Sequence, residues 1–128
     1  MDTLEIKSSS STPVVELNPS KNYIHFSGES RPENAAVFYA PIFEWLTKYK
    51  EYLAKNPGKQ ILCEFKLDYF NSSSAKCLLD VLESIREIDS PENKLSIKWY
   101  YIEEDEDMLD AGKEYADILD FNIELIVL

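Results

Sequence analysis

The chain is organised around the stretch Leu67-Asp68-Tyr69-Phe70-Asn71-Ser72-Ser73-Ser74-Ala75-Lys76, where a strand runs into three serines and then into a helix. The strand is predicted from Gln60 to Leu67, because apolar side chains alternate there with mostly polar ones. The helix is predicted from about Ser73 to Ile88, since apolar residues recur at helical spacing against a charged face. The stretch is therefore a strand-to-helix corner built of hydroxyl groups.

On the N-terminal side of this corner, the pattern predicts three strands and one helix. A short edge strand at 4–7 precedes a serine-rich loop, and alternating residues at 14–17 and 23–26 flank turn residues, which predicts a hairpin. Helical spacing then runs from Phe38 to Leu53. Pro41 lies inside that pattern, so either the helix kinks or the main helix begins near Pro41.

On the C-terminal side, a strand is predicted at 95–101, a helix at 108–119 and a final strand at 123–128. Alternating strands and helices favour parallel pairing through right-handed crossovers. The strands nevertheless alternate in polarity, whereas a parallel sheet covered on both faces has continuously apolar strands. We therefore predict an α/β fold in which residues 1–128 form a single domain, with a mixed β-sheet and helices packed on one face.

Composition restricts the class of partner. The chain has 128 residues and a formal net charge of −11, which opposes binding to nucleic acid or to an anionic membrane. No apolar run is long enough to span a bilayer, and the N-terminus lacks the pattern of a signal peptide, so a cytoplasmic protein is expected. The three glycines form no phosphate-binding loop, and we expect no cofactor.

The serine corner has two interpretations. Asn71 or Ser72 is ordinary capping material for a helix N-terminus. The same unpaired N–H groups and the helix dipole also favour a phosphate, and Lys76 lies within one turn as a counter-charge. Residue chemistry alone favours the capping interpretation, but the two are compatible because both use the same unpaired N–H groups.

Three further features are weaker candidates for a site. The acidic run Glu103–Asp107 raises the alternative of a small metal- or nucleotide-binding enzyme, but it lacks the oxygen spacing of an EF-hand, and a helix start is favoured. His25 is the single histidine and is predicted to be a surface strand residue. Cys63 and Cys77 occupy apolar positions and are predicted to be buried free thiols, so no metal site is expected.

Six motifs, in this order, carry a resemblance that covers nearly the whole chain. They are Thr12-Pro13, Gly28-Glu29-Ser30-Arg31-Pro32-Glu33-Asn34-Ala35, Phe38-Tyr39-Ala40-Pro41-Ile42, Tyr69-Phe70-Asn71-Ser72-Ser73-Ser74-Ala75-Lys76, Trp99-Tyr100-Tyr101 and Asp105-Glu106-Asp107-Met108. On these motifs the chain resembles the SiaC family of bacterial regulatory phosphoproteins.

The resemblance implies a STAS-like fold, akin to anti-sigma-factor antagonists, and a non-enzymatic function. The residue after the motif's asparagine is the phosphate acceptor in the family, which corresponds to Ser72 here, with Ser73 as the alternate acceptor. The resemblance also implies a serine kinase of the histidine-kinase-like ATPase type, an opposing PP2C-type phosphatase and, in some systems, a diguanylate cyclase bound by the unphosphorylated form.

The corner and the neighbouring loop are the predicted docking surface for a protein partner. An exposed aromatic beside a switch residue is typical of such surfaces. The predicted partner-binding residues are Arg31, Pro32, Glu33, Asn34, Tyr69, Phe70, Asn71, Ser73, Ser74 and Lys76. The identity of the output partner is left open by the sequence.

Overall fold

The computed structural model describes residues 1–128 as six strands and three helices. In chain order they are β1 (Leu4–Ile6), β2 (Val14–Asn18), β3 (Tyr23–Ser30), α1 (Ala35–Lys55), β4 (Gln60–Phe70), α2 (Ser72–Arg86), β5 (Lys94–Tyr101), α3 (Glu106–Leu119) and β6 (Ile123–Val127). Each predicted element is present, and most boundaries differ from the prediction by a few residues.

The six strands form one mixed sheet in sequence order, β1-β2-β3-β4-β5-β6. The first three strands pair antiparallel, and β3 to β6 pair parallel. Strands β3 to β6 are parallel neighbours in sequence order, so three crossover connections join them. Each crossover moves one strand further across the sheet in the same direction. Because each right-handed crossover then passes over the same side, all three helices lie on one face. The predicted mixed sheet with helices on one face is confirmed.

The hydrophobic core fills the space between that face and the helices. Ile24 pairs with Cys63 and Phe26 pairs with Phe65, so inward side chains of neighbouring strands stand side by side. The Phe26 and Phe65 rings stack with their centroids 5.0 Å apart. Trp99 is fully buried, and its indole N–H donates to the Met108 carbonyl at 2.9 Å. The burial of its polar group is thus compensated.

Helix α1 begins at Ala35 and continues past Pro41. The predicted alternative of a start near Pro41 is therefore wrong. The Asn34 side chain accepts a hydrogen bond from the Val37 N–H at 3.2 Å and caps the helix at Ala35, well before Pro41. Pro41 is exposed and removes one hydrogen bond from a long helix whose buried face supplies most of its stability.

A bulge ends β4. The pairing of β3 with β4 passes from Gly28–Leu67 to Glu29–Tyr69 and skips Asp68. Strict alternation from Leu67 would bury Tyr69, but the extra residue reverses the pattern. Phe70 packs on Trp99 and Tyr115, whereas Tyr69 is 51% exposed. The bulge therefore turns a tyrosine towards solvent beside the serine corner.

The other face of the sheet is not covered by any helix, and a polar cluster lies at its centre. Glu64 accepts hydrogen bonds from the hydroxyls of Tyr23 and, at 3.0 Å, Tyr100. Although burial favours the neutral acid, these two hydrogen bonds lower the pKa of Glu64. His25 lies on this face as predicted, with Nδ1 3.0 Å from the Tyr23 hydroxyl.

None of the three helices combines the length and the apolar content that a membrane span requires.

Candidate functional site

Three helix N-termini meet at the carboxyl edge of the parallel strands. Helix α1 follows β3, α2 follows β4 and α3 follows β5, and these strands run in the same direction. The backbone N–H of Asn71 donates to the Ser30 carbonyl at 3.1 Å, which ties the end of β3 to the start of α2. The edge therefore presents the positive ends of neighbouring helix dipoles.

The serine corner, residues Asn71 to Ser74, begins α2. The Asn71 side chain accepts from the Ser74 N–H at 2.9 Å, so Asn71 is the cap and Ser72 is the first helical residue. Ser72 and Ser73 are exposed, whereas Ser74 is fully buried. The first turn of α2 contains no acidic residue. Capping therefore uses Asn71 and leaves the hydroxyls of Ser72 and Ser73 accessible.

Three buried hydroxyl groups form a hydrogen-bonded network that packs under the serine corner. Ser30 Oγ donates to Ser74 Oγ at 2.8 Å, and Ser30 Oγ lies 2.7 Å from the Tyr39 hydroxyl. These residues belong to β3, α2 and α1, so the hydroxyl network joins the three elements that form the corner. Burial raises the pKa of Tyr39 to about 12, although its hydrogen bond with Ser30 acts in the opposite direction. The hydroxyl stays protonated near neutral pH.

An open groove of about 950 Å³ separates the starts of α1 and α2. Ser72 and Lys76 lie one turn apart on α2, and both line it. The four ion pairs of the chain leave the Lys76 ammonium without a carboxylate partner. The other lining residues are Glu33, Asn34, Ala35, Ala36, Ala40, Phe43, Ser73, Cys77 and Asp80.

The structure brings part of the predicted loop to this groove. Glu33 and Asn34 line the groove. Arg31 is exposed but engaged, since its guanidinium pairs with Glu29 at 3.0 Å and donates to the Ser10 carbonyl at 2.9 Å. Pro32 is buried, as is Ser74, so neither side chain faces solvent in this conformation. Both help to shape the surface from below.

A smaller cavity of about 270 Å³ flanks the corner on the side of α3. Tyr69 and Phe70 line it together with Asp105, Asp107 and Met108. The predicted partner residues Tyr69 and Phe70 therefore adjoin the acidic start of α3. The chain holds no group of three or more His, Cys, Asp or Glu side chains placed to hold a metal ion, and the Asp105 side chain caps α3 through the Met108 N–H at 3.0 Å.

Sequence patterns missed part of the exposed apolar surface at this edge. Val37 in the first turn of α1 is 68% exposed, and Ile102 after β5 is 53% exposed. Val127 and Leu128 lie beside the end of β5 through the pairing of Tyr101 with Val127. These side chains occupy separate elements, so no local pattern marks them as one edge.

The cysteine prediction is correct for Cys63 and wrong for Cys77. Both thiols are free, and Cys63 is buried. Cys77 is only partly buried because the groove between α1 and α2 leaves one side of it open. Burial and the nearby Asp80 carboxylate raise the pKa of the Cys77 thiol, while Lys76 acts in the opposite direction.

Comparison with known proteins places this geometry in a family. An uncharacterized protein of Pseudomonas aeruginosa strain UCBPP-PA14 is 24% identical over 121 residues, which are 94% of this chain and 93% of that protein. The crystal structure of apo-SiaC from Pseudomonas aeruginosa is similar with a TM-score of 0.84 and 20% identity, covering 99% of this chain and 100% of that one.

A second similar structure is that of the Pseudomonas aeruginosa diguanylate cyclase SiaD in complex with its activator SiaC. It has a TM-score of 0.85 and 21% identity and covers 98% of this chain and 99% of that one. The family profile of SiaC regulatory phosphoproteins matches residues 6–128. The chain therefore belongs to the SiaC family of regulatory phosphoproteins.

Proposed function

We propose that this chain is a non-enzymatic switch protein in which reversible phosphorylation of Ser72 controls docking to a protein partner. The observation that carries the proposal is the unequal exposure of the three serines. Ser72 is accessible at the start of α2, and Ser74 is buried and hydrogen-bonded. Ser73 is exposed as well and is the alternate acceptor.

The physical basis of the switch is the charge that a phosphoryl group adds. It brings about −1.5 to −2 charges and three strong acceptor oxygens. At Ser72 these lie at the positive end of α2 and one turn from Lys76. A partner that covers the unmodified groove at the start of α2 buries the neutral hydroxyls of Ser72 and Ser73. The same partner would have to desolvate or pair a dianion after phosphorylation, so binding weakens.

The proposed partners follow from the family resemblance and from the relative. They are a serine kinase of the histidine-kinase-like ATPase type, a PP2C-type phosphatase and a diguanylate cyclase as the output protein. In the similar Pseudomonas aeruginosa complex, SiaC is the activator of the diguanylate cyclase SiaD. The proposal places the chain in the cytoplasm as one domain, docking through the groove and through Tyr69.

Phosphopeptide mapping tests the acceptor. The chain is co-expressed with its cognate kinase, and intact mass and peptide mapping are recorded for wild type, Ser72→Ala and Ser73→Ala. We expect wild type and Ser73→Ala to gain one phosphoryl group, and Ser72→Ala to gain none, because it lacks the acceptor hydroxyl. Unchanged phosphorylation of Ser72→Ala would refute the assignment of Ser72.

Affinity capture tests the switch itself. Ser72→Ala and Ser72→Asp baits are compared in extracts of the native cell by quantitative mass spectrometry. Ser8→Asp adds the same charge to an exposed loop residue and serves as the matched control. We expect one partner to be retained by Ser72→Ala and by Ser8→Asp but depleted by Ser72→Asp. Equal capture by all three baits contradicts the proposed switch.

A further inference from the structure

The two edges of the sheet are protected unequally. Edge strands expose unpaired backbone groups, and proteins usually protect them by short length, lysine, proline or a bulge. Strand β1 has three residues, and Lys7 follows it directly. Strand β6 has five residues, Ile-Glu-Leu-Ile-Val, and pairs with β5 without a register shift. It contains neither lysine nor proline, and Glu124 is its one charged side chain, so β6 is less protected than β1.

The backbone groups that face outward from β6 can be assigned. The N–H of Leu128 donates to the Tyr101 carbonyl at 2.8 Å and thus faces β5. Since successive residues of a strand direct their N–H and C=O groups to opposite sides, Ile126 and Glu124 also face β5. Leu125 and Val127 then direct their N–H and C=O groups away from the sheet. Val127 is 50% exposed, so this part of the edge is accessible.

The surroundings of β6 are acidic. Helix α3 packs on β5 and β6, with Gly112 against Trp99 and Leu125. The exposed acidic residues on α3 and in the turn after it are Glu106, Asp107, Asp110, Glu114, Asp117 and Asp120, against the single basic residue Lys113. Glu124 lies on the other face of the strand, opposite Lys98 of β5, and does not belong to this acidic surface. A second copy of a chain with net charge −11 is repelled here, whereas a basic segment is attracted.

We propose that the outer edge of β6 binds an extended segment of a protein partner in which apolar residues alternate with lysine or arginine. The segment adds a strand to the sheet through the backbone groups of Leu125 and Val127. Its basic side chains all lie on the face of the sheet that α3 covers, where they complement the acidic residues of α3. This site is separate from the groove at Ser72 and does not depend on the function proposed for that serine.

A peptide titration followed by NMR tests this site. The probe is the peptide Lys-Val-Lys-Val-Lys-Val-Lys, added to the isotope-labelled full chain. We expect saturable binding, with the amide signals of Leu125 and Val127 shifted and their hydrogen exchange slowed. Val127→Pro removes an outward N–H without breaking the ladder to β5 and should weaken binding by about tenfold, the loss expected for one hydrogen bond.

Matched controls separate backbone pairing from side-chain contact. Val127→Ala keeps the N–H and should bind the peptide nearly as well as wild type, and circular dichroism verifies that both variants fold. A Glu-Val-Glu-Val-Glu-Val-Glu peptide should not bind. Undiminished binding by Val127→Pro, equal binding of the acidic peptide, or no saturable binding overturns the proposal. A wild-type dimer that Val127→Pro makes monomeric also overturns it and identifies a second copy as the occupant.

Discussion

Helices α2 and α3 begin at the same edge of the sheet and are capped in the same way, but their first turns carry opposite electrostatics. Asn71 caps α2 and Asp105 caps α3, each accepting from the N–H three residues later at 2.9 and 3.0 Å. The first turn of α3 contains Glu106 and Asp107, whereas that of α2 contains no acidic residue. The dipole of α3 is therefore compensated by carboxylates, and that of α2 is not.

Because of this difference, added negative charge is disfavoured at the start of α3 and favoured at the start of α2. A further negative group at α3 would meet Asp105, Glu106 and Asp107 and be repelled. At α2 it would meet unpaired N–H groups and the Lys76 ammonium. Both starts are stable caps, so capping alone does not reveal which one is a modification site. The distribution of charge around the cap distinguishes them.

The largest expected effect concerns the packing of α3. A Cβ atom at Gly112 would lie 2.6 Å from Trp99 Cδ1 and 2.7 Å from Leu125 Cδ2, so Gly112→Ala forces the helix away from the sheet. We expect a loss of about 1–3 kcal/mol in the free energy of unfolding, measured by urea denaturation.

Ala111→Gly, one residue earlier on the same helix, is the control for helix propensity and should cost only about 1 kcal/mol. A Gly112→Ala variant as stable as wild type would contradict the close packing of α3.

The next effect concerns the hydroxyl network beneath α2 and depends on pH. The pKa of Tyr39 is about 12 in the folded chain and 10.0 in an exposed tyrosine, so the unfolded chain loses this proton at lower pH. Its contribution to stability is complete below pH 10 and is lost as the pH rises towards about 12. Between these two pH values, the titration of Tyr39 lowers the free energy of unfolding by about 1.4 kcal/mol per pH unit.

Urea denaturation at several pH values measures this contribution. Tyr39→Phe is less stable near neutral pH because the hydrogen bond to Ser30 is lost. Its stability should nevertheless decline less steeply with alkaline pH than that of wild type. Identical slopes for Tyr39→Phe and wild type would show that Tyr39 titrates normally.

The smallest expected effect is the most direct test of the comparison. Asn71→Asp and Asp105→Asn exchange the charge of the two caps while keeping an oxygen that accepts the capping hydrogen bond. Asn71→Asp should stabilise the chain by about 0.3–1 kcal/mol, because it adds charge to an uncompensated dipole. Asp105→Asn should lower the stability by a similar or smaller amount. Thermal denaturation at low and high salt measures both changes.

Salt provides the control for this exchange, since screening should reduce both differences. Asn71→Ala and Asp105→Ala remove the caps outright and should each cost about 1 kcal/mol. If Asn71→Asp destabilises the chain, negative charge is not favoured at the start of α2, and the physical argument for a phosphate at Ser72 fails.

Local sequence was sufficient to predict the elements and a mixed sheet with helices on one face, but not the order of the strands. The alternation of Ile61, Cys63, Phe65 and Leu67 identified the inward face of β4, and the absence of continuously apolar strands indicated a one-sided sheet. Faces beyond a bulge were less predictable. The pairing skips Asp68, and this reverses the orientation of Tyr69 and Phe70. The reversal depends on the register between β3 and β4, which the sequence of neither strand shows by itself.

For the candidate site, the sequence by itself determined the corner and the family resemblance, and it restricted the cap to Asn71 or Ser72. These follow from residue types at short spacing and from ordered motifs. Only the tertiary structure decided which serine is buried, because Ser30 of β3 contacts both Ser74 of α2 and Tyr39 of α1. It also decided that Cys77 borders a groove and that β6 has an open edge. Such properties depend on contacts between distant segments, which local periodicity does not encode.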